Sequence, residues 1–233
     1  MIGAVAALGA GAAGVALYGA YAPNSGVYGR AVGRGPADRR RVYLTFDDGP
    51  SPSATARILE TLAAEEVPAA FFLVGDFVLR DQALAQAVAR GGHEVGNHTQ
   101  NHLKLHRRGP RRVRREIEAA HGVISEATGK APRTFRAPHG YRNPFVGFTV
   151  GRLGYTLFGW TFGVWDSARP GAEEIRRRVR RGLRPGAIVL LHDGDGYDFG
   201  GDRGQTADAL PGIIRDARDA GYEFAPLGEL VIG

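Results

Sequence analysis

Two histidines four residues apart, His98 and His102, and two adjacent carboxylates, Asp47 and Asp48, are the side chains in this sequence best placed to do chemistry. On a helical turn, residues i and i+4 share a face, so both imidazoles can grip one metal ion. An HxxxH spacing also arises among surface or capping histidines, so a third ligand is needed. Asp48 is the natural candidate. Two His and one carboxylate leave a coordination position open for water, as a catalytic zinc site requires. Neighbouring carboxylates project differently and take different roles: one binds the metal and the other accepts a proton from the attacking water.

The rest of the chain narrows the chemistry. There are no cysteines among the 233 residues, which removes disulfides, thiolate ligands and cysteine nucleophiles. Any metal is therefore held by His, Asp or Glu, and this donor set suits zinc, with cobalt and nickel also accommodated. The net charge is +6, carried mainly by arginine clusters at Arg39–Arg41, Arg107–Arg115 and Arg176–Arg181. Beside the second cluster Val113, Ile117, Ala120, Ile124 and Ala127 recur at helical spacing, and Ile175, Val179 and Leu183 do so beside the third. Both clusters thus read as solvated helix faces. No aromatics are interleaved to stack bases, so nucleic acid is not an expected partner.

These residues need elements to hold them. Residues 1–22 carry no charge, and as a helix they would rise about 33 Å at about 1.5 Å per residue, enough to cross a bilayer core of about 30 Å. This hydrophobic segment reads as a membrane anchor or an export signal, and residues 23–40, rich in Gly and Pro, as a linker. From residue 41 to 233 strand and helix alternate. Val42–Phe46, Ala69–Val74, Glu94–Val95, Thr134–Arg136, Tyr155–Trp160, Ala187–Leu191 and Glu223–Phe224 read as strands. Residues 80–90, 111–128, 144–152, 172–182 and 206–219 read as helices, and Ser53 as the cap of one more. The pattern predicts an α/β fold: a single catalytic domain built as a distorted (β/α)7-type barrel of parallel strands, with an open doubly wound sheet as the alternative. Asp47, Asp48, His98, Arg136, Asp166 and His192 all fall just after strands, the end where α/β barrels carry their active sites. The Gly- and Asp-rich stretch 193–202 reads as a mobile loop at that end.

At this point the motifs resemble a known family. Thr45-Phe46-Asp47-Asp48-Gly49-Pro50 is similar to the first motif of the polysaccharide deacetylases, carbohydrate esterase family 4 (CE4), whose catalytic unit is the NodB-homology domain. His98-Thr99-x-x-His102, after Gly92-His93-Glu94-Val95-Gly96-Asn97, resembles the second motif. Arg136-Ala137-Pro138 resembles the third and Leu190-Leu191-His192 the fifth. The resemblance covers residues 41–230 and implies a hydrolase that deacetylates N-acetylated sugars in peptidoglycan or a chitin-like oligomer. It implies Asp47 as general base, Asp48, His98 and His102 as ligands of one divalent metal, Arg136 as the partner of Asp47, and His192 as general acid. Leu190 would line the acetyl pocket, and the backbone N–H of His139 would help stabilise the oxyanion. In the fourth motif Asp166 keeps the carboxylate that orients His192. Ser167 and His139 replace aromatics that usually shape the substrate groove. Trp165 is positioned to compensate, although core packing is its simpler reading.

An O-acetyl esterase or a small-molecule amidase could use the same site. A non-catalytic, membrane-tethered polymer binder is the reading from another class, disfavoured because no catalytic residue is missing. Arg30 and Arg34 follow the apolar segment, and the positive-inside rule would keep the domain cytoplasmic. The sugar chemistry points the other way, so an extracytoplasmic protein, anchored or secreted and associated with the membrane through residues 1–22, is expected.

Overall fold

The computed structural model describes residues 2–232, with the side chains described from residue 11 onward. Strands β2 (Arg41–Asp47), β3 (Ala69–Leu73), β4 (Glu94–Asn97), β5 (Thr134–Phe135) and β6 (Thr156–Phe158) line up in sequence order. β8 (Ala187–His192) lies on the other side of β2, followed by β7 (Phe162–Gly163). A short strand β1 (Ala31–Val32) covers the β6 edge and β9 (Glu223–Phe224) pairs with the start of β2; every ladder is parallel. The eight-strand path curls into a half-barrel, the distorted barrel expected from the alternation, with β1 and β7 as the ends of its ordered path.

Because successive strand residues face opposite sides, β2 feeds two cores. Leu44 and Phe46 pack with Phe71, Leu73, Val189 and Leu191 beneath the helices. Tyr43 points inward with Ala70, Phe72, Phe158 and Ile188. Thr45 and Asp47 continue that inward row toward the strand ends. Helices α2 (Thr55–Ala64), α3 (Gly75–Arg80), α4 (Gln82–Arg90), α5 (Pro110–Thr128), α6 (Pro144–Arg152), α7 (Ala172–Gly182) and α8 (Gly204–Asp219) complete the layers. Val113, Ile117, Ala120, Ile124 and Ala127 of α5 are buried, as are Ile175 and Val179 of α7; the α5 arginines lie on the outer face as expected, while in α7 Arg176 pairs with Asp216 of α8 and Arg178 donates to Val164 O. The helix expected over 80–90 is α4, preceded by the unanticipated short α3; the two are separated at Asp81, which caps α4 by accepting from the Leu84 N–H at 2.9 Å. Ser53 caps nothing: α2 starts after Ala54, and the Ser53 hydroxyl donates to Gly201 O at 2.9 Å.

The segment expected to be a linker is bound to the domain at both ends and in between. Asn24 exchanges hydrogen bonds with the backbone of Trp160, Thr161 donates to Gly33 O, and Gly35 N–H donates to Gly186 O. Residues 32–35 thereby run between the β6 and β8 sides of the half-barrel. The buried Arg142 guanidinium donates to the carbonyls of Ala22, Pro23, Ser25 and Gly29. Ala22 O also accepts from the Ser25 N–H; one side chain supplies the remaining donors, the accounting that buried backbone demands. Upstream, α1 (Ile2–Tyr21) projects from the domain, with Val15, Leu17 and Tyr18 each more than half exposed. Part of the segment read as an anchor or signal lies outside the residues whose side chains are described. Among the described residues, no helix is long and apolar enough to cross a membrane.

Candidate active site

The site sits where β2, β4, β5 and β8 end. Asp47 and His192 are register partners on adjacent strands, so these two strand ends place a carboxylate beside an imidazole. Asp48 follows Asp47 with φ +77, which turns its carboxylate away from the strand row and toward the loop after β4.

That loop carries His98 and His102. It is not the helical turn expected from the HxxxH spacing: Thr99 has φ +73 and His102 φ +50, and two left-handed residues cannot continue a right-handed helix. They bring the rings together by another route, with centroids 5.2 Å apart. The loop is clamped from α5. Buried Glu116 accepts from the Asn101 backbone and side chain, both at 2.9 Å, and its own carbonyl accepts from Gln100 N–H. Asn97 caps the bend by accepting from Thr99 N–H at 2.8 Å, while its amide donates to Tyr155 and to Ile117 O.

Asp48, His98 and His102 form a buried cluster whose ligand atoms lie within 4.8 Å of one another. Asp48 Oδ1 is 3.2 Å from His98 Nε2 and 2.9 Å from His102 Nε2. Two ligands about 2.1 Å from a tetrahedral ion would be roughly 3.4 Å apart, so these donors are nearly in place for a divalent metal. The orientation fits as well. His98 Nδ1 lies 2.7 Å from Arg136 O; as a donor there, it leaves the Nε2 lone pair aimed at the cluster, the usual outer contact of a metal-binding histidine. Burial pushes the Asp48 carboxyl up, but His102, His98 and His192 outweigh it and hold it well below the usual carboxylate range.

Arg136, fully buried at the end of β5, donates to Asp47 Oδ1 at 2.7 Å, Thr45 Oγ1 at 2.8 Å and Gly159 O at 2.8 Å. It lies 4.2 Å from the centre of the Phe72 ring. Burial lowers its pKa and the Asp47 charge opposes that. One Asp47 oxygen is thereby engaged, while Oδ2 faces His98 Nε2 at 3.9 Å.

Opposite, Asp166 is fully buried. It accepts from the His192 backbone N–H and from His192 Nδ1, both at 2.8 Å, and from Thr206 Oγ1 at 3.0 Å. Burial alone would lower the His192 pKa; the Asp166 charge and hydrogen bond, with Asp48 and Asp47 behind them, raise it to about 9.

Beside this pair is a cavity of about 230 Å³ whose lining includes His139, Tyr141, Trp160, Trp165, Leu190 and His192. Leu190, next to Gly163 in register, forms part of the wall. Trp165 is not packed in the core: it is 74% exposed with φ +56. His139 has φ +58, its ring is 5.1 Å from that of His102, and its Nε2 lies 2.7 Å from the Tyr197 hydroxyl. Burial, then the neighbouring His102, hold the His139 pKa down at about 4. The stretch 193–202, expected to be mobile, is tied down by Arg203, whose guanidinium donates to Gly194 O, Asp195 Oδ2 and Ser167 O.

All ten residues singled out from the sequence thus border one site. Glu116, Asn97, Thr206, Arg203 and Tyr197 were missed. Asn97 lay inside a quoted motif; the others act across long sequence separations and carry no local signal.

Comparison with known proteins agrees with this geometry. The family model for polysaccharide deacetylase matches residues 34–158. A chitooligosaccharide deacetylase of Bradyrhizobium sp. (strain ANU 289) is 40% identical over 200 residues, covering 82% of this chain and 90% of the relative. A peptidoglycan-N-acetylglucosamine deacetylase of Bacillus cereus is 37% identical over 198 residues, covering 84% and 90%. Among solved structures, a CE4 family pseudoenzyme from Bacillus anthracis superposes with a TM-score of 0.78 at 28% identity, covering 87% of this chain and 69% of that one.

Proposed function

The chain belongs to the polysaccharide deacetylase family, and from that premise we propose that it is a metal-dependent carbohydrate N-deacetylase acting on N-acetylglucosamine units of a chitin-like oligosaccharide or of peptidoglycan. The observation that carries the reading is the pairing of Asp47 and His192 on adjacent strand ends beside the Asp48–His98–His102 cluster.

Asp47 serves as general base. Arg136 engages its Oδ1 and fixes the carboxylate, and the other oxygen is left to receive a proton from the attacking water. Asp48, His98 and His102 hold a divalent metal, zinc by donor type with cobalt or nickel as substitutes. When bound, it supplies Lewis-acid polarisation of the acetyl carbonyl and acidifies the attacking water. The backbone N–H of His139 is assigned to the developing oxyanion. His192 stands on the other side as general acid. Asp166 occupies its Nδ1, so Nε2 delivers the proton to the departing amine. Leu190 shapes the recess for the acetyl methyl.

The family includes a pseudoenzyme, so a binding-only role is the competing reading. The complete set of Asp47, Asp48, His98, His102, Arg136, Asp166 and His192 in bonded positions favours catalysis. We also place the domain outside the cytoplasmic membrane, associated with it through α1. The wall-directed name of the Bacillus cereus relative and the exposed apolar residues of that helix support this. Cell fractionation with protease added outside intact cells tests it.

The decisive assay is acetate release from an N-acetylglucosamine oligomer by the full chain, after chelation, after zinc is restored, and with Asp47→Asn. Release that needs both metal and Asp47 supports the reading. Metal-loaded protein that frees no acetate from this oligomer or from peptidoglycan sinks it.

A further inference from the structure

The large apolar side chains that this fold leaves exposed are not scattered. Of the twelve among the described residues, nine belong to α1, the turn after it, α6 with the residue that follows it, and Ile232. Single exposed apolar residues need no explanation, but a contiguous patch marks an interface.

Helix α6 carries the centre of the patch. Val146, Thr149 and Val150 are buried, while Phe145 is 42% and Phe148 67% exposed. Phe145, Phe148 and Arg152 stand at helical spacing on one outer face, and the Arg152 guanidinium lies 5.8 Å from the centre of the Phe148 ring. The helix opens at Asn143, which accepts from the N–H groups of Phe145 and Val146 and donates to Arg108 O at 2.9 Å. An exposed arginine therefore stands at each end of the face, and neither is in an ion pair among the described residues. Exposed Arg30 lines a shallow surface cavity with Gly151, Gly154 and Ile232, beyond the end of α6.

The patch is continuous with α1. Gly147 of α6 lets the chain after α1 press onto the helix: an added Cβ there would lie 2.3 Å from Tyr28 O. The Tyr28 hydroxyl in turn donates to Ala16 O of α1 at 3.3 Å. Exposed Val27 sits in the same turn, against Gly19 of α1.

Aromatic rings inside a rim of arginines suit a bilayer surface with anionic headgroups. Guanidinium groups pair with phosphate, and the rings enter the boundary between headgroups and acyl chains. Two copies joined through this face would set the arginines of one against those of the other. The net charge of +6 adds attraction to an anionic surface.

We propose that the outer face of α6, rimmed by Arg30, Arg108 and Arg152, is a second membrane-docking surface that seats the domain on an anionic phospholipid bilayer beside α1. The proposal rests on the membrane association assigned above to α1, and not on the deacetylase reading. Two attachments acting together hold a protein at a membrane where one alone is reversible.

The chain has no cysteine, so Phe148→Cys gives the full chain a single thiol for an environment-sensitive fluorophore. Leu79→Cys, at an exposed apolar position on α3, is the control. Each labelled protein is mixed with brominated vesicles of phosphatidylcholine alone or of phosphatidylcholine and phosphatidylglycerol in equal parts. Sedimentation with the anionic vesicles about tenfold tighter than with the neutral ones is expected. Bromine should quench the label at position 148 and spare that at 79. Arg108→Gln with Arg152→Gln should remove most of the anionic preference, and Phe145→Ser with Phe148→Ser should weaken binding about tenfold at an unchanged thermal midpoint. Vesicle binding with an unquenched label at 148 would overturn the α6 surface and leave α1 as the attachment. No binding to either vesicle would defeat the membrane reading itself, and this surface with it. A label at 148 shielded without lipid, in a protein of doubled mass, would overturn the proposal by making this face an interface between two copies.

Discussion

Asp166 grips His192 at two points, taking the backbone N–H and Nδ1 on separate oxygens, both at 2.8 Å. The first bond fixes where the residue is, and the second fixes which ring nitrogen is left to act. His192 must be protonated to serve as an acid. Its pKa is raised to about 9, so the acid form dominates below that pH and is lost as the pH rises through it. A cation at Asp48, His98 and His102 pulls the value down, so the alkaline limb of the metal-loaded enzyme should lie below about 9. Asp166→Asn removes the charge that raises the pKa. It should shift that limb to lower pH and cut kcat by about 10²–10⁴, the usual weight of general acid–base catalysis. An unmoved pH profile would contradict the assigned role. The pair also stabilises the fold: the contribution is full below the unfolded histidine pKa of about 6.5 and disappears as the pH passes the folded value.

Arg136 and Asp47 are both buried, joined at 2.7 Å. Removing one partner strands the other charge, a loss of about 3–5 kcal/mol in comparable buried pairs. Arg136→Met should therefore lower the thermal midpoint by more than Asp47→Asn, which leaves a neutral hydrogen-bond acceptor for the arginine. Both variants should be inactive. Thermal unfolding of the two proteins checks the order, and equal midpoints would show that the pair is not what holds Arg136.

Metal binding should be visible without any substrate. A ligand that binds only the folded state at 100 times its Kd adds about 2.7 kcal/mol of stability. Zinc should raise the midpoint of the chelated wild type, and His98→Ala or His102→Ala should abolish that shift along with bound metal measured by emission spectroscopy. A full zinc-induced shift in either variant would move the site elsewhere.

The grip of Arg142 on Ala22, Pro23, Ser25 and Gly29 predicts an interaction that a double-mutant cycle can isolate. In the full chain, Arg142→Met strands the buried Ser25 carbonyl, at a cost of about 1–3 kcal/mol, and takes a donor from the partly buried carbonyls of Ala22, Pro23 and Gly29. In a chain beginning at Arg40 those carbonyls are gone, and the same substitution should cost far less. Additive effects would mean that the N-terminal segment is held by something other than Arg142.

The sequence showed what local rules can encode. Strand and helix periods revealed the α/β alternation, and residues just after strands marked the catalytic rim, because strand ends converge whatever the details of the loops. The His98–His102 pair was legible as a ligand pair but not as a loop. Spacing says that two rings can meet and leaves open whether a helix or two left-handed residues brings them together. β1 is two residues long, too short for any period to register, and its place was set by partners more than a hundred residues away. Tyr197 and Arg203 were hidden in the same way: a Gly- and Asp-rich stretch reads as mobile until a distant carbonyl such as Ser167 O is seen to hold it.

Seven non-glycine residues have positive φ among the described residues, and Asp48, Thr99, His102, His139 and Trp165 are five of them. A left-handed residue with a side chain costs about 1–2 kcal/mol, so this strain is concentrated where the chemistry is. The consequence is a conflict between two kinds of selection. A library screened for heat resistance would gain most readily by placing glycine at these positions, and each such gain would delete a ligand, a wall or the residue that shapes one. Mutational drift meets the same filter from the other side. Most side chains are disfavoured at these five sites by their backbones before their chemistry is ever tried, and the site can diversify only among side chains that tolerate the turn.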